Sequence, residues 1–227
     1  MSNILAIGAH PDDVELGIGA TISKLVRLGH QVSIIDLTDG EPTPCGSSEK
    51  RKAESFESAK ILGVSQRMTL NLPNRYLEDT IEAREELAGY IRMIKPEIIF
   101  CHFGIDKHPD HIAASKLTES AAFYSKFTGI QIPEQPWEIK KIYYFYTTHF
   151  RLNINPSFII DVSDDFHKKM EALHTYKSQF IENKKNSFVF EYLRTQGEYF
   201  GKLIKRDYGE PFASRENIGI NDIVDLL

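Results

Sequence analysis

The sequence predicts a layered α/β domain built on a mostly parallel central sheet. Three observations carry that prediction. Short apolar runs at 4–8, 31–37 and 97–101 read as buried strands. The segments between them space their apolar residues at helical intervals. The first strand, helix and second strand also fit within about forty residues, the span of a βαβ unit.

Residues 4–8 are apolar almost from the start of the chain. In 17–28, Ile18, Ile22, Leu25 and Val26 share a helix face, and Gly29 stands where a C′ residue ends a helix. Residues 31–37 are rich in β-branched side chains and read as the second strand. The stretch 38–48 (TDGEPTPCGSS) is turn-rich and reads as loop. A second amphipathic helix covers 49–62 and stops at Gly63, and 68–72 reads as a short strand before Pro73. A third helix, 81–94, ends at Lys95-Pro96, and 97–101 (EIIFC) follows as a buried strand. Residues 108–127 begin as a loop and run into a long helix. Late strands are expected at 141–147 and 157–162, and late helices at 164–180 and 187–205. There is no repeat or low-complexity linker. Pro133-Glu134-Gln135-Pro136 reads as a loop before a late strand, so 1–227 is taken as one domain.

The bulk composition narrows the function classes. A chain of 227 residues, 41% hydrophobic and 26% charged, is long enough to bury a sizeable core. A formal net charge of −5 argues against nucleic acid or an anionic membrane as the main partner, since both need clustered Lys and Arg. Two cysteines cannot make a disulfide framework and fit a reducing cytoplasm. Cys101 reads as a buried inert thiol, and Cys45 as a loop residue. A charged motif at His10 leaves no room for a signal peptide, and no run approaches the roughly 18 apolar residues of a membrane span.

Two short runs carry the chemistry: Ala9-His10-Pro11-Asp12-Asp13 and His108-Pro109-Asp110-His111. Each follows an expected strand of one parallel sheet, where ligands sit outside the carboxyl ends. Brought together, His10, Asp13 and His111 supply two imidazoles and a carboxylate. That three-ligand set suits a catalytic metal with a position left for water. Such a cation lowers the pKa of water from about 15.7 to roughly 7. Asp12 suits a general base. His108 suits an imidazolium that stabilises an oxyanion and protonates a leaving amine, with Asp110 fixing its tautomer and raising its pKa. The plain structural alternatives are that Asp12 and Asp13 complement a helix dipole and that Asp110 is an N-cap.

These residues resemble the PIG-L/LmbE-like family of metal-dependent N-acetylglucosamine deacetylases. The shared signatures are the AHPDD run at 9–13 and the HPDH run at 108–111. The likeness extends through ELGIGA after the first run, Arg51 before AKILGV, and NLPNR at 71–75. YKSQF (176–180) and YGEPF (208–212) resemble the bacterial branch acting on N-acetylglucosaminyl malate in bacillithiol synthesis. The loop 40–48 has no match to that branch. The resemblance implies a Rossmann-like three-layer fold and hydrolysis of an acetamide on a glucosamine derivative. It implies His10, Asp13 and His111 as ligands of Zn²⁺ (Fe²⁺ or another divalent transition metal also suits the set), Asp12 as base and His108 with Asp110 as a polarising pair. Arg51 and Tyr208 are implied as substrate-binding residues. A homo-oligomer, trimer or hexamer, is implied by analogy. Other N-acetyl sugars, including chitobiose, glycolipids and antibiotic precursors, remain alternative substrates.

Three rival readings are weaker. Gly17 and Gly19 after a strand hint at a dinucleotide fingerprint, but His10 to Asp13 occupy the turn and Ile22 the third glycine's place. A purely structural metal in a sugar-binding protein has no use for Asp12 or His108. Phosphoester hydrolysis wants cation clamps that the motifs lack. His30, His167 and His174 read as structural, as do His102 and His149, with a supporting role beside the site as the alternative for the last two. The aromatic stretches 143–150 and 188–200 read as core or subunit interface. Lys168-Lys169 and Lys184-Lys185 read as solvated.

Overall fold

A computed structural model describes residues 1–147, 155–222 and 224. Its elements in chain order are β1 (Asn3–Gly8), α1 (Asp13–Arg27), β2 (Gln31–Asp36), α2 (Ser48–Leu62), β3 (Gln66–Thr69), α3 (Ile81–Ile94), β4 (Ile98–His102) and α4 (Pro109–Tyr124). They continue with β5 (Lys141–Phe145), β6 (Phe158–Asp161), α5 (Phe166–His174), α6 (Lys177–Phe180), α7 (Val189–Leu203) and β7 (Gly209–Ala213). The strands form one sheet in the order β3-β2-β1-β4-β5-β7-β6. The first five run parallel, and β7 is antiparallel to both of its neighbours. The expected mostly parallel α/β architecture is thus observed.

Strand alternation sends successive side chains to opposite faces, and helices cover both. Leu5, Ile7, Ile35, Leu37 and Ile99 meet Leu87 and Ile91 of α3 and Leu117 and Ala121 of α4. Ile4, Ala6, Val32, Ile34, Phe100 and Phe145 meet Val14, Ile18 and Ile22 of α1, Leu62 of α2 and Ala172 of α5. Burying one such large apolar side chain contributes about 1.5–3 kcal/mol. β1 has β2 on one side and β4 on the other, so the order in which strands are added across the sheet reverses at β1. The crevice at the carboxyl ends of β1 and β4 is the site such sheets offer to ligands.

Local chemistry sets most boundaries. Ser47 caps α2 by accepting from the Lys50 amide, and Gly63 ends it at φ 73°. Thr80 caps α3 by accepting from the Ala83 amide. Several departures from expectation follow, most of them with tertiary causes. The first helix starts at Asp13, not at 17, and is kinked at Ile18. The kink is held by Lys169 and Glu210: the Glu210 carboxylate accepts from the amides of Ala20 and Thr21, while Lys169 Nζ donates to it at 2.6 Å and to the Gly17 carbonyl at 3.3 Å. Lys169, expected in solvent, is therefore only 3% exposed. The expected helix 164–180 breaks between α5 and α6, where Tyr176 turns inward and donates to buried Glu15. β3 lies two residues earlier than expected. β7 was hidden by Pro211, whose missing N–H is tolerated because pairing with β5 stops at Phe212. Cys101 is buried, and burial pushes its thiol far above the ordinary range, as an inert thiol requires. His149 lies outside the described residues.

Candidate active site

The turn after β1 carries His10, Asp13 opens α1, and His111 lies in the first turn of α4, beyond β4. Because β1 and β4 are neighbours, the two sequence runs meet. His10, Asp13 and His111 each place one donor atom within 4.8 Å of the others. Asp13 Oδ2 lies 3.2 Å from His10 Nδ1, and Asp13 Oδ1 lies 3.3 Å from His111 Nε2. The His10 amide donates to Asp13 Oδ2 at 2.8 Å and fixes that carboxylate at the helix start.

Both imidazoles are oriented from behind. His10 Nε2 donates to Asp110 Oδ2 at 3.1 Å, and that carboxylate also accepts from the amides of Arg75 (2.7 Å) and Leu77 (3.4 Å). His111 Nδ1 donates to Asp106 Oδ2 at 3.0 Å, and Thr147 donates to the same oxygen at 2.8 Å. One nitrogen of each ring is thus held by a carboxylate, which fixes the tautomer and leaves the other nitrogen facing Asp13. A second grouping of His10, His108 and Asp110 also brings three donors together. It shares His10 with the first grouping, and its Asp110 carboxylate is the group that holds His10 Nε2.

The electrostatics favour positive charge at this point. Burial opposes protonation of His10 and His111, but Asp13 and the carboxylates behind the rings outweigh it and push them up to about 10 and about 9. Burial also opposes the Asp13 charge, yet His111, His102 and His10 hold its carboxyl well below the usual range. Two imidazole nitrogens and one carboxylate oxygen, converging and individually oriented, fit a divalent transition metal. Such an ion would answer the same field and take the place of a proton only on the nitrogen that each ring turns toward Asp13.

Asp12 faces another way. Its backbone adopts φ 117°, ψ −22°, a left-handed conformation costly for a non-glycine residue, and this turns its side chain toward Arg51. Arg51 NH1 donates to Asp12 Oδ2 at 3.1 Å, and Arg51 is 3% exposed. Burial pushes the Asp12 carboxyl up to about 7 against the pull of Arg51. Beneath this pair the Arg51 guanidinium lies 5.9 Å from the centre of the Tyr176 ring, and Glu15 gathers Tyr176, Ser58 and Arg67.

His108, not Asp110, is the N-cap of α4: its Nδ1 accepts from the Asp110 amide at 3.2 Å. The neutral ring therefore carries its proton on Nε2. Asp110 pulls the His108 pKa up as expected, but burial, with the positive His111 and His10 beside it, outweighs that pull and lowers it to about 4.

These groups open into one cavity of about 360 Å³, lined by His10, Asp12, Asp13, Arg51, His108 and His111 together with Leu16, Asn74, Arg75, Lys107, Gln179, Phe180, Phe188 and Val189. The loop 38–47 joins its wall through Gly40, Pro42 and Thr43. Tyr208 does not reach it. β7 pairing fixes Tyr208 beside α5, where its ring stacks on Phe166 at 4.0 Å in a separate cavity with His167 and Arg194. The expectation of a substrate contact from Tyr208 within this chain is corrected accordingly. Sequence reasoning missed Asp106 and Thr147 and undervalued His102, which touches Asp13 and stacks on His111. Asp106 had a signal: it stands five residues before His111, close enough to fold back under the ring. Thr147 had none.

The family model described as GlcNAc-PI de-N-acetylase, PIG-L, matches residues 5–122. A diacetylchitobiose deacetylase of Thermococcus kodakarensis is 31% identical, over 92% of this chain and 82% of its own length. A 1D-myo-inositol 2-acetamido-2-deoxy-alpha-D-glucopyranoside deacetylase of Thermobifida fusca is 27% identical over 62% of this chain, which spans 60% of that relative. Among solved structures, the conserved protein TT1542 of Thermus thermophilus superposes with a TM-score of 0.90 at 30% identity, over 98% of this chain and 99% of that one.

Proposed function

The chain belongs to the PIG-L family, and on that premise we propose that it hydrolyses the acetamide of an N-acetylglucosamine derivative to acetate and a free amine. The observation that carries this is the pairing of a three-donor cluster with two chemically competent groups left over. His10, Asp13 and His111 converge within 4.8 Å, while Asp12 and His108 line the same cavity.

His10, Asp13 and His111 would hold the cation, and zinc is the default for that donor set. A divalent cation there supplies Lewis acidity toward water and a carbonyl oxygen. The remaining work belongs to the chain. Asp12, steered by its left-handed backbone and by Arg51, takes a proton from the attacking water as its oxygen bonds to the acetamide carbon. His108 offers its Nε2–H to the oxygen that becomes negative, because the Asp110 amide occupies Nδ1. When the C–N bond breaks, protonated Asp12 returns its proton to the departing nitrogen. The acid product carries the oxygen and the second proton of the water, and that proton passes to the sugar amine as the products part, leaving acetate and an ammonium group.

For the substrate we put N-acetylglucosaminyl malate first. Arg75 and Lys107 on the cavity wall supply two cations suited to carboxylates beyond the sugar. Diacetylchitobiose is the second reading, favoured by the Thermococcus kodakarensis relative. The test is an amine-release assay on N-acetylglucosaminyl malate, diacetylchitobiose and free N-acetylglucosamine, with metal analysis of the same sample. Release from malate conjugate or chitobiose, at metal-dependent rates, is the expected result. No amine from any of the three would remove the deacetylase assignment.

A further inference from the structure

His102 is a buried imidazole at the end of β4 to which neither sequence run assigns a task. It is 1% exposed. The Ala9 amide donates to its Nε2 at 3.0 Å, and the same nitrogen lies 3.2 Å from Asp13 Oδ2. Its ring stacks on His111 with centroids 4.2 Å apart and planes 20° from parallel. Consecutive amides thus clamp two side chains: Ala9 N–H holds His102, and His10 N–H holds Asp13 at 2.8 Å. The far side of the ring contacts Phe145, centroids 4.7 Å apart, so the imidazole cannot retreat into the sheet. Its Nδ1 has no protein partner among the described residues. A phenyl ring would fill the same space without that unmet donor, so packing alone does not account for an imidazole.

We propose that His102 is a positioning residue for the cation site: accepting from the Ala9 amide and stacked on His111, it fixes the His111 ring plane and the turn whose next amide holds Asp13, and so sets the affinity of the three-donor cluster. This rests on the reading of that cluster as a divalent-cation site. A donor oriented in advance loses less freedom when it binds, and outer partners of this kind typically govern affinity by about 10–100-fold.

The test compares native protein with His102→Phe, His102→Gln and His102→Met. Zinc dissociation constants come from chelator competition with metal-stripped protein, and melting temperatures from the same metal-free samples. Phe keeps the stack and loses the acceptor, so zinc affinity should fall about 10–100-fold while the metal-free protein still melts cooperatively. Gln restores an acceptor for the Ala9 amide and should recover most of that loss. Should the Phe variant fail to fold, Gln against Met decides: the two match in length, and Gln offers a strong oxygen acceptor where Met offers only a weak thioether. Native affinity in the Phe variant, or equal affinity in Gln and Met, would overturn the proposal. Native protein that takes up no zinc would instead remove the reading of the cluster, and this proposal with it.

Discussion

At the scale of single residues, neighbours in sequence have been given opposite tasks by backbone geometry. Asp12 and Asp13 share chemistry, yet a left-handed turn sends one to Arg51 and the other to two imidazoles. Asp12→Asn should therefore keep full metal content and lose on the order of 10²–10⁴ in kcat, the usual scale for a general base. Full activity in that variant would take Asp12 out of the reaction. His111→Ala should lose the metal altogether, and stoichiometric metal in the purified variant would break the ligand assignment. Asp106→Asn keeps the shape but weakens the hold on His111 Nδ1, and metal affinity should fall by about 10–100-fold in a competition titration.

At the scale of elements, the first helix decides how the site is presented. Its kink at Ile18 separates the turn that carries Asp13, Glu15 and Leu16 from the half that packs on α5. Broken helical hydrogen bonds inside a protein must be met from elsewhere. Glu210 from β7 and Lys169 from α5 meet them, so three elements distant in sequence are tied at one point. Lys169→Met would leave Glu210 as a buried charge without its cation. The expected cost is about 3–5 kcal/mol, read as a lower urea midpoint at unchanged slope. A change below about 1 kcal/mol would mean the backbone amides alone neutralise Glu210.

At the scale of the whole molecule, fold and site are separable. The two apolar clusters on either side of the sheet involve none of the three proposed ligands. Chelation should therefore abolish activity while far-UV circular dichroism stays native, and re-added zinc should restore the rate. Apparent stability should still drop, by about 2.7 kcal/mol if the cation had stood at a hundred times its dissociation constant. Loss of the native spectrum on chelation would make the cation a structural element. No helix among the described residues is long and apolar enough to cross a membrane.

The sequence by itself determined the parallel βαβ framework, because buried strands and amphipathic helices leave periodic patterns in the chain. It also determined the two acidic, histidine-bearing runs, because the residues that follow one strand end stand close together in sequence. Only the tertiary structure decided what those residues do to one another. Asp110 holds His10, although His108 is its nearer neighbour in the chain. The proton of His108 is assigned by a helix-capping amide. Lys169 is drawn out of solvent by a kink about 150 residues upstream, its Nζ reaching the Gly17 carbonyl. Tyr208 is taken from the cavity by strand pairing, and β7 itself forms despite Pro211 because its partner strand ends in time. The physical reason is the same throughout. Periodicity and turn chemistry are local, whereas charge pairing, hydrogen-bond satisfaction and burial depend on which distant segments the fold brings within about 3 Å.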